Sequence, residues 1–263
     1  MSIPLSLSGR VALISGGSRG IGAATVRMFA AAGAKVVFSY RSAQAQAEAL
    51  AKECGDGVCH PVECDLNRPE SARELVAETV KQLGRIDILV ANAGGPPSTN
   101  FETTTYKQYV TAIELNLLSS IRLAQLVVPG MRKRQWGRVI FLTSTAAKQP
   151  IASLILSNTA RAGLAGFAKT LATECAHDNV LVNTILTGHF DTDRAMSLAA
   201  VASQREHSTI DQMLRDRRKL IPLGRAGDPA ELASVVAFLA SQRASFVTGV
   251  ALPVDGGQIA TTF

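Results

Sequence analysis

Seven short apolar runs, each separated from the next by a longer Ala- and Leu-rich stretch, constrain this chain more than any other feature of it. The runs are Arg10 to Ser15, Lys35 to Tyr40, Gly57 to Cys64, Ile86 to Ala91, Arg138 to Thr143, Val180 to Leu186 and Val250 to Val254. Their length and β-rich composition predict buried strands. The stretches Gly20 to Ala32, Ser42 to Glu53, Pro69 to Leu83, Thr105 to Met131 and Leu156 to Ala176 predict helices. This alternation predicts an α/β fold, a doubly wound parallel seven-stranded sheet with helices on both faces, Rossmann-like. At 263 residues and 47% hydrophobic composition, with no linker or repeat, residues 1–263 are expected to form a single domain. Residues 188–222 break the alternation with mixed helical and polar sequence and are the expected substrate lid. Asp228-Pro229-Ala230-Glu231 then carries the signature of a new helix, an acidic cap followed by proline.

The first strand runs into Ser15-Gly16-Gly17-Ser18-Arg19-Gly20-Ile21-Gly22, and a helix follows at once. Glycines at 16, 20 and 22 let the turn close, let backbone approach a pyrophosphate and let helix pack on strand, while the helix N-terminus presents amides to phosphate. Alone, such a turn is weak evidence for a nucleotide.

Further motifs agree with it. Asp65-Leu66 follow the third strand, Asn92-Ala93-Gly94 the fourth, Asn116 lies in the next helix, Ser144 follows the fifth strand, and Asp255-Gly256-Gly257 stand near the end. Together with Gly16-x-x-x-Gly20-x-Gly22 they resemble the short-chain dehydrogenase/reductase family over nearly the whole chain. Gly224-Arg225 and Val247-Thr248-Gly249 make it look most like the 3-oxoacyl-acyl-carrier-protein reductase type. The resemblance implies that Gly16, Ser18, Arg19, Gly20, Ile21 and Gly22 cradle a dinucleotide. It also implies that Asp65 and Leu66 flank the adenine, that Asn92, Ala93 and Gly94 line the ribose side, and that Thr192 sits by the pyrophosphate and carboxamide. Thr187-Gly188-His189-Phe190 departs from the family's usual Pro-Gly in that loop.

The second strand ends Phe38-Ser39-Tyr40-Arg41 with no acid to accept ribose hydroxyls, whereas Arg19 and Arg41 can grip a 2′-phosphate. NADP(H) is therefore the expected cofactor.

In that family a serine, a tyrosine, a lysine four residues later and an asparagine perform the proton chemistry. Ser144 and Asn116 match, but in the family's register the tyrosine position falls on Ser157 and the lysine position on Arg161. All three tyrosines, Tyr40, Tyr106 and Tyr109, precede Ser144, so no shift of register restores one. Ser157 and Arg161 still share a helix face. A serine hydroxyl is a far weaker acid than a phenol, and an arginine keeps its charge without relaying a proton. Losing a positioned general acid costs roughly 100- to 10,000-fold in rate. His189 and Lys148 are the side chains considered as replacements.

The leading expectation is an NADP(H)-dependent oxidoreductase interconverting a carbonyl and an alcohol, 3-oxoacyl-thioester reductase-like, with an atypical proton donor. The alternatives are a nucleotide-binding but catalytically silent subunit and a non-redox binding or lyase-like protein. The expected partner is a small-molecule carbonyl or alcohol substrate. A net charge of +6 would suit nucleic acid, but the basic residues are scattered apart from Arg132 to Arg134 and Arg215 to Lys219, so none is expected. No apolar run appears long enough to span a bilayer and no leader pattern opens the chain, which predicts no membrane partner and a cytoplasmic location. The family implies a homo-oligomer, a tetramer or dimer. Cys54, Cys59, Cys64 and Cys175 lack the spacing of a metal site, so none is expected.

Overall fold

The computed structural model describes residues 5–262, so the ends of the expected 1–263 domain, residues 1–4 and 263, lie outside the described residues. The elements run in chain order as β1 (Val11–Ile14), α1 (Gly20–Ala31), β2 (Lys35–Tyr40), α2 (Gln44–Glu53), β3 (Cys59–Glu63), α3 (Pro69–Leu83), β4 (Ile88–Ala91) and α4 (Tyr106–Ile113). They continue as α5 (Ser119–Lys133), β5 (Gly137–Leu142), α6 (Ile155–Cys175), β6 (Val180–Thr187), α7 (Asp193–Arg205), α8 (Ile210–Lys219), α9 (Pro229–Ala240) and β7 (Ala251–Val254). All seven strands are parallel, in the order β3-β2-β1-β4-β5-β6-β7. The order reverses between β1 and β4, and a doubly wound sheet opens its ligand crevice at the carboxyl ends of the strands there.

Side-chain alternation along the strands feeds two cores. Ala12 and Ile14 of β1, with Val36, Phe38, Ile88 and Val90, face α1, α2 and α9. Leu13, with Val37, Leu89, Val139 and Phe141, faces α3, α5 and α6. Fully burying one such side chain contributes about 1.5–3 kcal/mol, so these apolar faces, rather than the weaker helix propensities, dictate which way each element turns. The edge strands β3 and β7 are less buried than β1 and β4, as their single neighbours require. Asp228 caps α9 in a reciprocal box with Glu231, as its sequence predicts. All four cysteines are free, and burial raises the Cys64 thiol to about 11, where it stays protonated and unreactive.

Two expectations are corrected. The helix expected from Thr105 to Met131 is broken: after α4 the chain widens into a π-turn at Glu114–Leu118 before α5 resumes. Asn116 sits inside that turn, and its Nδ2 donates to the Gly94 carbonyl at 2.6 Å, a long-range tie that local periodicity does not reveal. The same helical stretch, Tyr106–Lys133, is also long and apolar enough to cross a bilayer by length and composition, with a mean hydropathy of 1.3 over 18 residues. Its apolarity has a different use here, because Leu123, Ala124, Val127, Val128 and Met131 bury against the sheet.

Candidate active site

The glycine-rich turn after β1 is pinned from three sides. Gly16 and Gly20 adopt φ of 61° and 53°. The Gly16 amide donates to Ser39 Oγ at the end of β2, and Asn92 Nδ2 donates to the Gly16 carbonyl, both at 3.0 Å. Ser15 Oγ donates to the Asn92 carbonyl at 2.8 Å and accepts from the Asn92 amide at 2.9 Å, locking the end of β1 to the end of β4. A Cβ on Gly22 would stand 2.0 Å from the Gly16 carbonyl oxygen, so only glycine brings α1 this close to the turn. Arg19 caps α1 through an extended backbone with no side-chain cap bond, which leaves the first-turn amides to an outside anion.

Around this turn stand most of the residues expected to hold the nucleotide. The Thr192 methyl, at the N-cap of α7, lies 3.3 Å from where a Gly20 Cβ would be. Ser18 and Ile21 are half-buried in the turn, and Arg19 and Arg41 are exposed and form no ion pair among the described residues. Asp65 and the buried Leu66 follow β3, alongside β2. Burial opposes ionisation of Asp65, but the amide and side chain of Asn67, with Arg41 and Arg68 nearby, hold its carboxyl below the usual carboxylate range. Arg41 is thus partly balanced by Asp65 and still free to meet a phosphate.

The expected catalytic residues converge on the ends of β4 and β5. Ser144 Oγ accepts from the Ala146 amide at 3.1 Å, capping a 3₁₀ turn, so its own O–H remains free to donate to a substrate oxygen. Asn116 is 1% exposed, and its Oδ1 is buried without a protein partner, an acceptor suited to a water. Ser157 and Arg161 both lie in the buried stripe of α6 with Ala160 and Leu164. The Ser157 hydroxyl makes no hydrogen bond among the described residues.

Arg161 does more than place a charge on this face. Its Nη1 donates to the Leu142 carbonyl at 2.6 Å and its Nη2 to the Ala93 carbonyl at 3.3 Å, so the fork bridges β5 to the loop after β4, while Nε is buried and unpartnered. Burial, reinforced by the charge of Arg194, pushes its pKa down to about 10.

His189, at the end of β6, is half-buried with Nε2 unpartnered. Burial and the cations Arg217 and Arg218 outweigh Asp191 and depress its pKa below the ordinary histidine value. It is therefore a poor proton donor at neutral pH. Lys148 is exposed and makes no hydrogen bond among the described residues through its side chain. The unusual Thr187-Gly188 keeps the loop in place by other means: Thr187 Oγ1 donates to the Thr143 carbonyl at 2.7 Å and the Gly188 amide to Val254 at 3.0 Å.

Residues 188–222 form the helical pair α7 and α8, and this pair supplies residues that the sequence did not single out. Arg194 Nη2 donates to the Pro96 carbonyl, and Arg205 Nη2 donates to Ser98 at 2.8 Å. The carbonyls of the loop after β4 are thus held by Arg161, Asn116, Arg194 and Arg205 in turn. Only the position of Arg194, two residues after Thr192, hinted at a place near the site.

Residues 16–258 match the family described as enoyl-(acyl carrier protein) reductase. The chain is 36% identical to a 3-oxoacyl-acyl-carrier-protein reductase of Aquifex aeolicus, covering 96% of this chain and 98% of that one. It is 35% identical to an L-fucose dehydrogenase of Bos taurus, covering 98% and 92%. The crystal structure of L-sorbose reductase from Gluconobacter frateurii, complexed with NADPH and L-sorbose, superposes with a TM-score of 0.92 at 33% identity, covering 98% of this chain and all of that one.

Proposed function

Because this chain belongs to the short-chain dehydrogenase/reductase family, which it matches over nearly its whole length in sequence and in fold, we propose that it is an NADP(H)-dependent reductase interconverting a carbonyl and an alcohol, with 3-oxoacyl thioesters as the first class to try. The observation that carries this is the preserved nucleotide cradle opening onto a Ser144 whose hydroxyl is free to donate. Gly16 to Gly22 and the α1 amides would hold the pyrophosphate, Arg19 and Arg41 the 2′-phosphate, Asp65 and Leu66 the adenine edge, and Asn92 to Gly94 with Thr192 the remaining length. When bound, NADPH supplies a hydride to the substrate carbon.

The protein's own residues then have distinct tasks. Ser144 donates to the carbonyl oxygen and orients it. Asn116 Oδ1 and the Ser157 hydroxyl would hold a water that gives the proton to the developing alkoxide, in place of a phenol, and the hydroxide left behind is reprotonated by bulk water when the site reopens. Arg161 stabilises that negative charge and fixes the loop that the ribose side rests on, without itself giving up a proton. The α7–α8 pair closes over the substrate as a lid and excludes bulk water. The protein works in the cytoplasm as a homo-oligomer.

A second reading is favoured by one observation: two of the three donor nitrogens of Arg161 are already committed to backbone carbonyls, as in a structural cation. The protein would then bind NADP(H) without turnover, as a subunit or regulator. NADPH consumption against oxoacyl thioesters, sugars and ketones, compared between the natural protein and Ser157→Tyr/Arg161→Lys, separates the two. Activity in the natural protein, abolished by Ser144→Ala, supports the reductase. Tight NADPH binding with silence across the panel, and a gain of roughly 100- to 10,000-fold in the double variant, supports the silent subunit.

A further inference from the structure

Where the substrate would sit, this protein gathers more positive than negative charge. Arg161 reaches up from α6 to Ala93, while Arg194 comes down from the first turn of α7 onto the same loop. A Cβ on Gly95 would touch the Arg194 guanidinium at 3.0 Å, so the loop is bare at that point to let the cation lie flat on it. Partial burial lowers the pKa of Arg194, and the charge of Arg217 of α8 lowers it further. Neither Arg161 nor Arg194 forms an ion pair among the described residues. The carboxylates nearby meet the outer cations of the group and leave these two alone: Asp191 pairs with Arg218 at 3.7 Å, and Glu206 acts on Arg217. Four cations, Arg161, Arg194, Arg217 and Arg218, thus face two anions, and His189 adds no negative charge.

A buried cation is costly unless an anion meets it, and Arg161 is buried while the exposed Arg194 crowds a second positive charge onto the same loop. The phosphates of the nucleotide have their own partners in the α1 amides, Arg19 and Arg41, at the ends of β1 and β2. Arg194 lies instead over the loop after β4, on the side of Arg161.

We infer that the carbonyl compound taken by this site carries an anionic group, a carboxylate or a phosphate, close to the reacting carbon, and that Arg194 binds it with Arg217 in support. The inference rests on the reductase reading for the word carbonyl, and on the charge geometry alone for the word anionic. A guanidinium matches either anion in a forked, charge-assisted pair.

The test uses matched compounds that differ only in charge: 3-oxobutanoate against its methyl ester, and dihydroxyacetone phosphate against dihydroxyacetone. Calorimetric titration into the protein–NADP+ complex measures binding, and NADPH absorbance measures turnover. At least one anion is expected to bind about tenfold or more tightly than its neutral counterpart, with the advantage shrinking as salt rises. Which arm shows the larger preference tells carboxylate from phosphate. Arg194→Gln is expected to erase the preference, and Arg194→Lys to keep part of it. Equal binding of anion and neutral counterpart in both arms, no measurable binding of either anion, or an Arg194→Gln defect confined to NADPH affinity each overturns the inference. Anion-selective binding without NADPH oxidation would uphold it and sink the reductase reading instead.

Discussion

Gly22→Ala and Gly94→Ala, compared side by side, separate what the glycines do for the fold from what they do for the nucleotide. The added methyl at Gly22 stands 2.0 Å from the Gly16 carbonyl oxygen, and ordinary contact begins at 3.4 Å, so backbone must move by 1.4 Å. The obstacle is main chain held at both ends, by Asn92 Nδ2 on the carbonyl and Ser39 Oγ on the amide. That places the cost at the upper end of overpacking, about 3 kcal/mol, or roughly 6–12 °C in Tm for a chain of this size. Displacing the turn also misaligns the α1 amides. Loss of two charge-assisted bonds at about 1.5 kcal/mol each weakens NADPH binding by more than about 100-fold. At Gly94 the new methyl meets nothing within 4 Å, and the backbone is not in the left-handed region. Stability there is expected to hold or rise by about 0.4–1 kcal/mol, because the unfolded chain loses freedom. NADPH affinity falls about tenfold to 100-fold, because the space the methyl enters is the space the ribose side needs. Thermal melts and NADPH fluorescence titrations read both quantities. A Gly94→Ala protein that binds NADPH like the parent, or a Gly22→Ala protein that melts like it, would refute the placement of the nucleotide on this cradle.

Arg41→Ala is expected to weaken NADPH at least about tenfold and to leave NADH unchanged, since only the 2′-phosphate meets that charge; equal effects on both nucleotides in titration would disprove the assignment. The depressed pKa of His189 makes the folded state bind fewer protons than the unfolded one below the ordinary value of 6.5. Stability is therefore lost as pH falls through 6.5 toward the lowered value, and melts of His189→Gln between pH 7.5 and 5 should show a shallower loss than the parent; parallel slopes would show that His189 is not desolvated.

The central strands were legible because they bury both faces, so apolar run length alone marks them, and α3 matches Pro69 to Leu83 to the residue. The glycine turn was legible because its steric demands are local. The π-turn at 114–118 was not, since it answers to a carbonyl twenty-two residues away. Nor were the bonds of Arg161 to Leu142 and Ala93, or the place of Arg194, which depend on how α6 and α7 dock onto one loop. That Ser157 and Arg161 share a helix face was plain in the sequence; that the arginine braces the loop was not.

That brace sets what a change at either position does. A forked guanidinium spans two carbonyls that a single ammonium cannot serve together, so Arg161→Lys alone strands a buried acceptor, while Ser157→Tyr alone sets a phenol against a crowded guanidinium. The loop after β4 therefore depends on the arginine for its shape as much as the site depends on it for its charge.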